Sequence, residues 1–457
     1  MEKMTLEKTI LKLAEDKKYK ALREVLGVMN AFDVAAVFDR VIPAEKRPVI
    51  FRLLPKELAA EVFVELDDDI KQELIKSFSD SELTDVIDEL YVDDAADLVD
   101  EMPANVVKRI LRQASPDMRK MINEILRYPD DSAGSIMNTE YISLRATMSV
   151  QHAIEHIRTT GFDKETVNTL YVIDKERHLI GVVSIRDLLF SQSDDLIENV
   201  MDTCAIISVN TLDDKENVAL TFKKYDLTEL PVTDTENRLV GIVTVDDAID
   251  VLQQEATEDI EKMAAITPSD KPYFKISATQ TFAKRIPWLL LLMISATFTG
   301  IIISQFESSL GALPILTAFI PMLMDTGGNS GSQASVTVIR GISLGDIEFR
   351  DILKVVFKES RVAIMCGLAL AVTAFAKVYL IDKLIMGKEI TLLIALVISL
   401  TLLVTVIIAK IVGCTLPLFA KKAGFDPAVM ASPFITTIVD ALSLLIYFWF
   451  ANLILGL

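Results

Sequence analysis

Histidine, cysteine and tryptophan are the scarce residues of this 457-residue chain, with three, three and two copies. Cys204, Cys366 and Cys414 stand far apart, and two of them fall in apolar runs, so neither a disulfide framework nor a thiolate zinc site follows. Two of the histidines form His152-Ala-Ile-Glu-His156, the spacing of some metalloproteases. Val150, Ala153, Ile154 and Ile157 instead make that stretch an ordinary amphipathic helix with Ser149 at its N-cap, and His178 supplies no third ligand. No Gly-x-x-x-x-Gly-Lys-Ser/Thr loop and no Asp-Lys-Thr-Gly occurs, so nothing points to nucleotide hydrolysis, and no enzyme is expected. The first twenty residues are charged and lack an apolar core, and no signal peptide is expected there. Basic residues are in deficit overall, 46 against 65 acidic, for a net charge of −19. The deficit is local. Residues before Ile276 hold 33 basic and 55 acidic side chains, whereas the remainder holds 13 and 10. Such an acidic region argues against nucleic acid or anionic lipid as a partner and is compatible with cations.

Within the acidic part, residues 1–130 read as short amphipathic helices punctuated by Pro55, Ser79 and Pro103, an all-α array that buries its faces by stacking into a superhelix. Its acidic clusters include Asp67 to Asp69 and Asp93, Asp94, Asp97, Asp100 and Glu101. Residues 131–252 hold an internal repeat, a stronger signal. Tyr171 to Asp187 matches Pro231 to Asp247 at an offset of sixty, placing Asp174, Gly181, Ser184 and Asp187 on Asp234, Gly241, Thr244 and Asp247. Met137 and Met201 open the two units alike. Each unit reads strand, turn, strand, then a helix starting at Ser/Thr-x-x-Asp, and the pair resembles tandem CBS modules of α/β fold. That resemblance implies a nucleotide site at Ser184, Asp187 and Thr244, with Asp247 beside it. From Val245 to about Ala265 runs a helix whose carboxylates recur at spacings of three and four, where like charges repel unless a cation relieves them. Pro268, Asp270 and Pro272 then break the pattern within a connector over residues 253–283.

Residues 284–457 predict five membrane spans, at 286–306, 310–339, 362–381, 390–416 and 427–457, each near or above the twenty or so residues needed to cross. Basic residues in the loops around Lys284, Arg340 to Arg361 and Lys421 place the N-terminus in the cytosol and the C-terminus outside. The last span carries one carboxylate, Asp440, in an otherwise uncharged stretch from Pro427. A charge near the bilayer centre costs about 2.5–3.5 kcal/mol even on insertion scales, so it is expected to face a partner or a wet cavity. The second span contains Asp325-Thr-Gly-Gly-Asn-Ser-Gly-Ser-Gln333, too polar and glycine-rich for lipid and suited to lining a cavity.

The order of these parts, with Gly-Gly-Asn-Ser-Gly-Ser-Gln at 327–333 and Pro-Phe-Ile-Thr-Thr-Ile-Val-Asp at 433–440, resembles the MgtE family of bacterial magnesium channels over essentially the whole chain. The resemblance implies a multi-pass homodimer of the bacterial inner membrane, with Mg2+ as cargo and ATP as a candidate ligand of the CBS pair. Pore positions carry over to Asp440, Asn329 and Asp426. Regulatory magnesium positions carry over to Glu61, Asp93, Asp97, Asp214, Glu216, Asp226, Asp247, Asp250, Glu255, Glu258 and Asp259. Leu227 stands where an aromatic could stack on adenine. The implied function is a magnesium channel driven by the membrane potential and closed by cytosolic Mg2+ at those carboxylates. Alternatives are a transporter of Co2+ or Mn2+, or a membrane-anchored nucleotide sensor. Hard oxygen donors suit Mg2+, which keeps several of its waters, and a dication gains about 4.6 kcal/mol on crossing 100 mV.

Overall fold

The computed structural model describes residues 2–204, 206–269, 273–430 and 432–456; Asp270 and Pro272 of the connector lie outside them. The chain divides into two compact units, residues 1–252 and 253–457.

The first unit begins with short helices, among them α1 (Glu2–Glu15), α2 (Tyr19–Leu26), α3 (Ala31–Arg40), α4 (Arg47–Phe51), α5 (Lys56–Val64), α6 (Asp68–Ser77), α7 (Asp80–Ile87), α8 (Val92–Glu101), α9 (Ala104–Gln113) and α10 (Pro116–Ile125). Their starts follow from local chemistry. Asn30 accepts from Phe32 N, Ser79 and Glu82 form a reciprocal capping box, and Ser115 caps a helix that opens on Pro116. Helices of about ten residues are marginal alone, so packing decides. One continuous apolar core runs along all ten, with Phe51 edge-on to Phe38 and Phe63 and against Phe78 at centroid distances of 5.4–6.1 Å.

Two three-stranded sheets follow, each with a parallel pair and an antiparallel hairpin: β1 (Ser143–Leu144), β2 (Thr169–Ile173) and β3 (Leu179–Ser184); then β4 (Val209–Asn210), β5 (Glu229–Thr233) and β6 (Leu239–Thr244). The repeat is explained position by position. Asp174 Oδ1 accepts from the amides of Glu176 and His178 at 2.8 and 2.9 Å, and Asp234 does the same for Glu236 and Arg238 at 2.9 Å. These turns carry Arg177 and Asn237 at φ 72° and 61°. A Cβ on Gly181 would lie 2.6 Å from Met201 Sδ, and one on Gly241 2.8 Å from Met137 Sδ. Each module's opening methionine therefore packs on the other module's strand glycine. Between and after the strands come α11 (Val150–Thr160), α12 (Ile185–Phe190), α13 (Ile197–Val200), α14 (Lys215–Tyr225) and α15 (Val245–Met263). Ser149 caps α11 as expected, and His152 Nδ1 lies 3.3 Å from the same hydroxyl.

In the second unit, α16 (Ala278–Gln305), α19 (Ile352–Ala376, continued as a π-helix to Ile385), α20 (Leu392–Lys422) and α21 (Ser432–Leu455) belong to four segments long and apolar enough to cross a membrane. The segment at 310–339 differs from the expected span. Among the described residues, α17 (Glu307–Ala312) and a 3-10 turn over Pro314–Phe319 precede α18 (Ile320–Ser343). Pro314 and Pro321 remove the amides that a continuous helix would need. α18 is long enough to cross, yet it falls outside the four apolar segments, and its glycines press it against its neighbours. A Cβ on Gly413 of α20 would lie 2.2 Å from Gly331 O, and one on Gly331 would lie 2.8 Å from Ile435 Cγ2 of α21. Lys421 and Lys422, expected in a loop, form the last turn of α20.

Candidate ion-binding sites

Three groupings of charge stand out, one in the first unit and two in the second. In the first, α8 presents Asp93, Asp94 and Asp97 toward the start of α15, which carries Asp246, Asp247 and Asp250, while Glu165 comes from the loop before β2. Asn138, fully buried, ties the group together. Its Nδ2 donates to Asp93 Oδ1 at 3.1 Å and to Glu165 Oε2 at 3.0 Å, while its Oδ1 accepts from Glu140 N at 2.7 Å. Carboxylates brought together with partial loss of water resist ionisation. Burial and the charges of Asp94, Asp247 and Glu165 hold Asp93 well above the aspartate range. Loss of water first, then Asp247, raises Asp94 to about 7 and Asp97, whose side chain still reaches solvent, to about 6. Asp247 rises to about 6 through burial, against the hydrogen bond from Thr244. Glu165 rises to about 8 through burial and the charges of Asp246 and Asp247. Glu65, just past α5, is raised by burial and by Asp250. Glu61, one turn earlier, is exposed.

Other sequence-derived positions are spread over the same unit. Asp214 caps α14, accepting from Glu216 N at 2.9 Å, and Asp226 ends that helix in a left-handed conformation at φ 52°. Both are exposed. Ser184 Oγ donates to Asp187 Oδ2 at 2.6 Å, and Thr244 Oγ1 donates to Asp247 Oδ2 at 2.6 Å. The two module helices thus open identically, but Asp247 also sits among the α8 carboxylates. Leu227 packs at the edge of the second module's core. Asp174, Glu176 and His178 offer ligand atoms within 4.8 Å of one another, on the turn that Asp174 itself organises.

In the second unit, the end of α15 meets the ends of α18 and α20. Asp259 accepts from Ser343 Oγ at 2.9 Å, and burial raises its carboxyl above the ordinary range. Lys262 pairs with Glu258 and lies 2.6 Å from Asp426 Oδ2. Burial opposes its charge, but those two carboxylates hold the ammonium above the usual lysine range. Asp426 also accepts from Ala428 N at 2.8 Å, fixing the turn between α20 and α21. Two of the positions assigned to magnesium, Glu258 and Asp426, are therefore bridged here by a side-chain cation.

The third grouping lies where α18, α20 and α21 cross. A Cβ on Gly327 would lie 2.7 Å from Thr405 Cγ2, 3.0 Å from Ser443 Oγ and 3.1 Å from Val439 Cγ1, and one on Gly328 3.0 Å from Thr436 Cγ2. These contacts set Asn329 at about the level of Asp440. Asp440 has no ion pair or hydrogen bond among the described residues, and the charge acting on it is that of Asp325. Asn329 is exposed on the open face of α18.

Three comparisons bear on the chain. A family model described as "Divalent cation transporter" matches residues 320–450, one described as "MgtE intracellular N domain" matches 29–131, and the CBS domain model matches 133–194 and 197–254. A protein of Thermus thermophilus named "Magnesium transporter MgtE" is 36% identical over 348 residues, 76% of this chain and 75% of that protein. The chain belongs to the MgtE family. Its MgtE-family relative in Enterococcus faecalis is 35% identical over 73% of this chain and 71% of the relative. A crystal structure described as the cytosolic domain of the Mg2+ channel MgtE in complex with ATP is 35% identical, covers 54% of this chain and 99% of that one, and superposes with a TM-score of 0.51. The soluble part of a magnesium transporter is 30% identical and covers 56% and 99%, at the same score. This MgtE-family chain is thus a multi-pass membrane protein with a helical N-terminal domain and a CBS pair.

Sequence reasoning passed over Asn138, Glu165, Glu65 and Asp246 as members of the first cluster, and named Asp94 in an acidic cluster without assigning it a site. Glu165 and Asn138 left no signal, because a lone loop carboxylate and a lone amide look like solvated surface. Asp94 and Asp246 adjoin named positions and could have been included on charge density.

Proposed function

We propose that this protein is a magnesium channel that admits Mg2+ to the cytosol down the membrane potential, and that cytosolic Mg2+ closes it. Asp440 carries the reading. It is a carboxylate inside a candidate membrane-spanning segment, level with the exposed amide of Asn329, and no basic side chain neutralises it among the described residues. A lone charge at such depth is tolerated against a wet path. A carboxylate with amide and hydroxyl neighbours suits a hydrated dication. In a homodimer with the path between subunits, two copies of Asp440 would balance one Mg2+.

The regulatory half rests on the α8–α15 cluster. Asp93, Asp94, Asp97, Asp247 and Glu165 resist ionisation without a cation, and Mg2+ bound there would draw the N-terminal helices onto the CBS pair. Asp250, Glu255, Glu258 and Asp259 are further carboxylates of α15. Glu61, Asp214, Glu216 and Asp226 are assigned to outlying sites by resemblance alone. Ser184, Asp187 and Thr244 are assigned to adenine nucleotide, a reading supported by the ATP complex of the related cytosolic domain. The N-terminus is placed in the cytosol and the C-terminus outside, with α18 as a fifth crossing.

The test is Mg2+ uptake into proteoliposomes under an imposed negative-inside potential. Wild type should take up Mg2+ in proportion to the potential, and Asp440→Ala should abolish uptake. Equal uptake by Asp440→Ala would refute the path. Competition by Co2+ and Mn2+ in the same vesicles separates a magnesium channel from a transporter of another divalent ion.

A further inference from the structure

The ion path assigned above does not use the carboxylate of Asp325. Asp325 stands on α18 four residues before Asn329, and both are exposed, as is Gln333 four residues later. On a helix these three fall within an arc of about 80° and span about 12 Å along the axis. The opposite face of the same helix carries Leu323, Gly327, Gly328, Gly331, Ala334 and Ser335, all buried against α20 and α21. The glycine contacts fix the register. Gly331 meets Ile435 and Val439, whereas Gly327 meets Val439 and Ser443, so α18 and α21 run antiparallel, and Asp325 lies about one turn beyond the level of Asn329 and Asp440. On the buried side of α18, against Gly327, Thr405 Oγ1 has no hydrogen-bond partner among the described residues. No described Lys or Arg forms an ion pair with either carboxylate. Two carboxylates about one turn apart, with no ion pair to either among the described residues, would be satisfied by a shared mobile cation.

We infer that Asp325 is a second carboxylate of the ion path, one helical turn from Asp440, and that it raises the affinity of the path for divalent over monovalent cations. The inference rests on the reading of Asp440 as the path's ion-recognising residue. A single carboxylate per subunit gives a pair of chains two negative charges at the level of Asp440; Asp325 adds two more one turn away. A dication approaching or leaving Asp440 then never loses electrostatic compensation, whereas K+ gains half as much from each charge.

The experiment uses the full-length protein in proteoliposomes of neutral phosphatidylcholine, with Mg2+ as the only divalent ion and a membrane potential set by a proton gradient and a protonophore. Asp325→Asn keeps size and hydrogen bonding but removes the charge, Asp325→Glu restores it, and Asp440→Ala is run beside them. Asp325→Asn should raise the Mg2+ concentration for half-maximal uptake about tenfold and increase leakage of K+ relative to Mg2+, with the maximal rate retained. Asp325→Glu should return both toward wild type. If Asp440→Ala abolishes uptake while Asp325→Asn matches wild type, the role of Asp325 is overturned and the path stands. A fall in maximal rate alone, with half-saturation unchanged and no rescue by Glu, overturns it too, since that is the mark of damaged packing. Unaltered uptake by Asp440→Ala overturns the reading beneath it.

Discussion

Removing Mg2+ at alkaline pH should unfold the first unit at a markedly lower temperature than removing it at acid pH. The sign follows from the raised carboxyls. Asp94 titrates at about 7 and Asp97 and Asp247 at about 6, against an ordinary 3.8, and Glu165 at about 8 against 4.5. The folded state therefore holds protons that the unfolded chain has already released, and stability falls as pH rises from about 4 to about 8. A tenfold change in proton affinity is worth about 1.4 kcal/mol, and Asp94 alone, binding its proton roughly a thousandfold more tightly than in the unfolded chain, sets a scale of about 4 kcal/mol. For a unit of this size, 1 kcal/mol moves Tm by roughly 2–4 °C, and the expected drop is roughly 8–16 °C. Mg2+ at a hundred times its Kd would return about 2.7 kcal/mol, most of the loss. At pH 5 the ion must displace protons, and its effect should shrink. Differential scanning calorimetry of the full chain in detergent is the suitable assay. Tryptophan fluorescence would miss the event, because Trp288 and Trp449 both belong to the second unit. An apo Tm that stays flat or rises between pH 5 and 8, or an equal Mg2+ effect at both, would refute the reasoning.

Four further outcomes follow from single contacts. Asn138→Ala leaves Asp93 and Glu165 without their bridging amide and should cost about 1–3 kcal/mol by the same calorimetry, with a larger share of the loss recovered by Mg2+ than in wild type. Gly413→Ala drives a methyl into Gly331 O, and the protein should elute as aggregate on size exclusion, whereas Gly345→Ala, with open space around it, should cost only the strain of its positive φ. Lys262→Met frees Glu258 and Asp426 and should lower the internal Mg2+ needed to inhibit uptake; an unchanged inhibition curve would count against a cation site at that turn. Asp382 is buried between Lys377 and Lys388 at 2.7 and 2.8 Å, both ammoniums lying over the Phe319 ring but still reaching solvent, so Asp382→Asn should lower detergent stability by about 1–3 kcal/mol.

Charge distribution, periodicity and repetition are local properties, and they determine much of this protein before it folds. The −22 bias of the leading part, the offset-of-sixty repeat and the uncharged run broken by Asp440 defined a soluble helical array, a CBS pair and a membrane half. Even the repeat's Asp174 and Asp234 act within their own turns, two to four residues away. What sequence could not supply was the partner across space. Nothing in the local pattern says that Asn138 joins Asp93 to Glu165, residues 45 and 27 positions distant. Nor does it say that Lys262 reaches Asp426, or that Gly327 and Gly413 let three helices come into contact. A carboxylate's role depends on which charges and how much water surround it, and that is settled only when the chain folds back on itself.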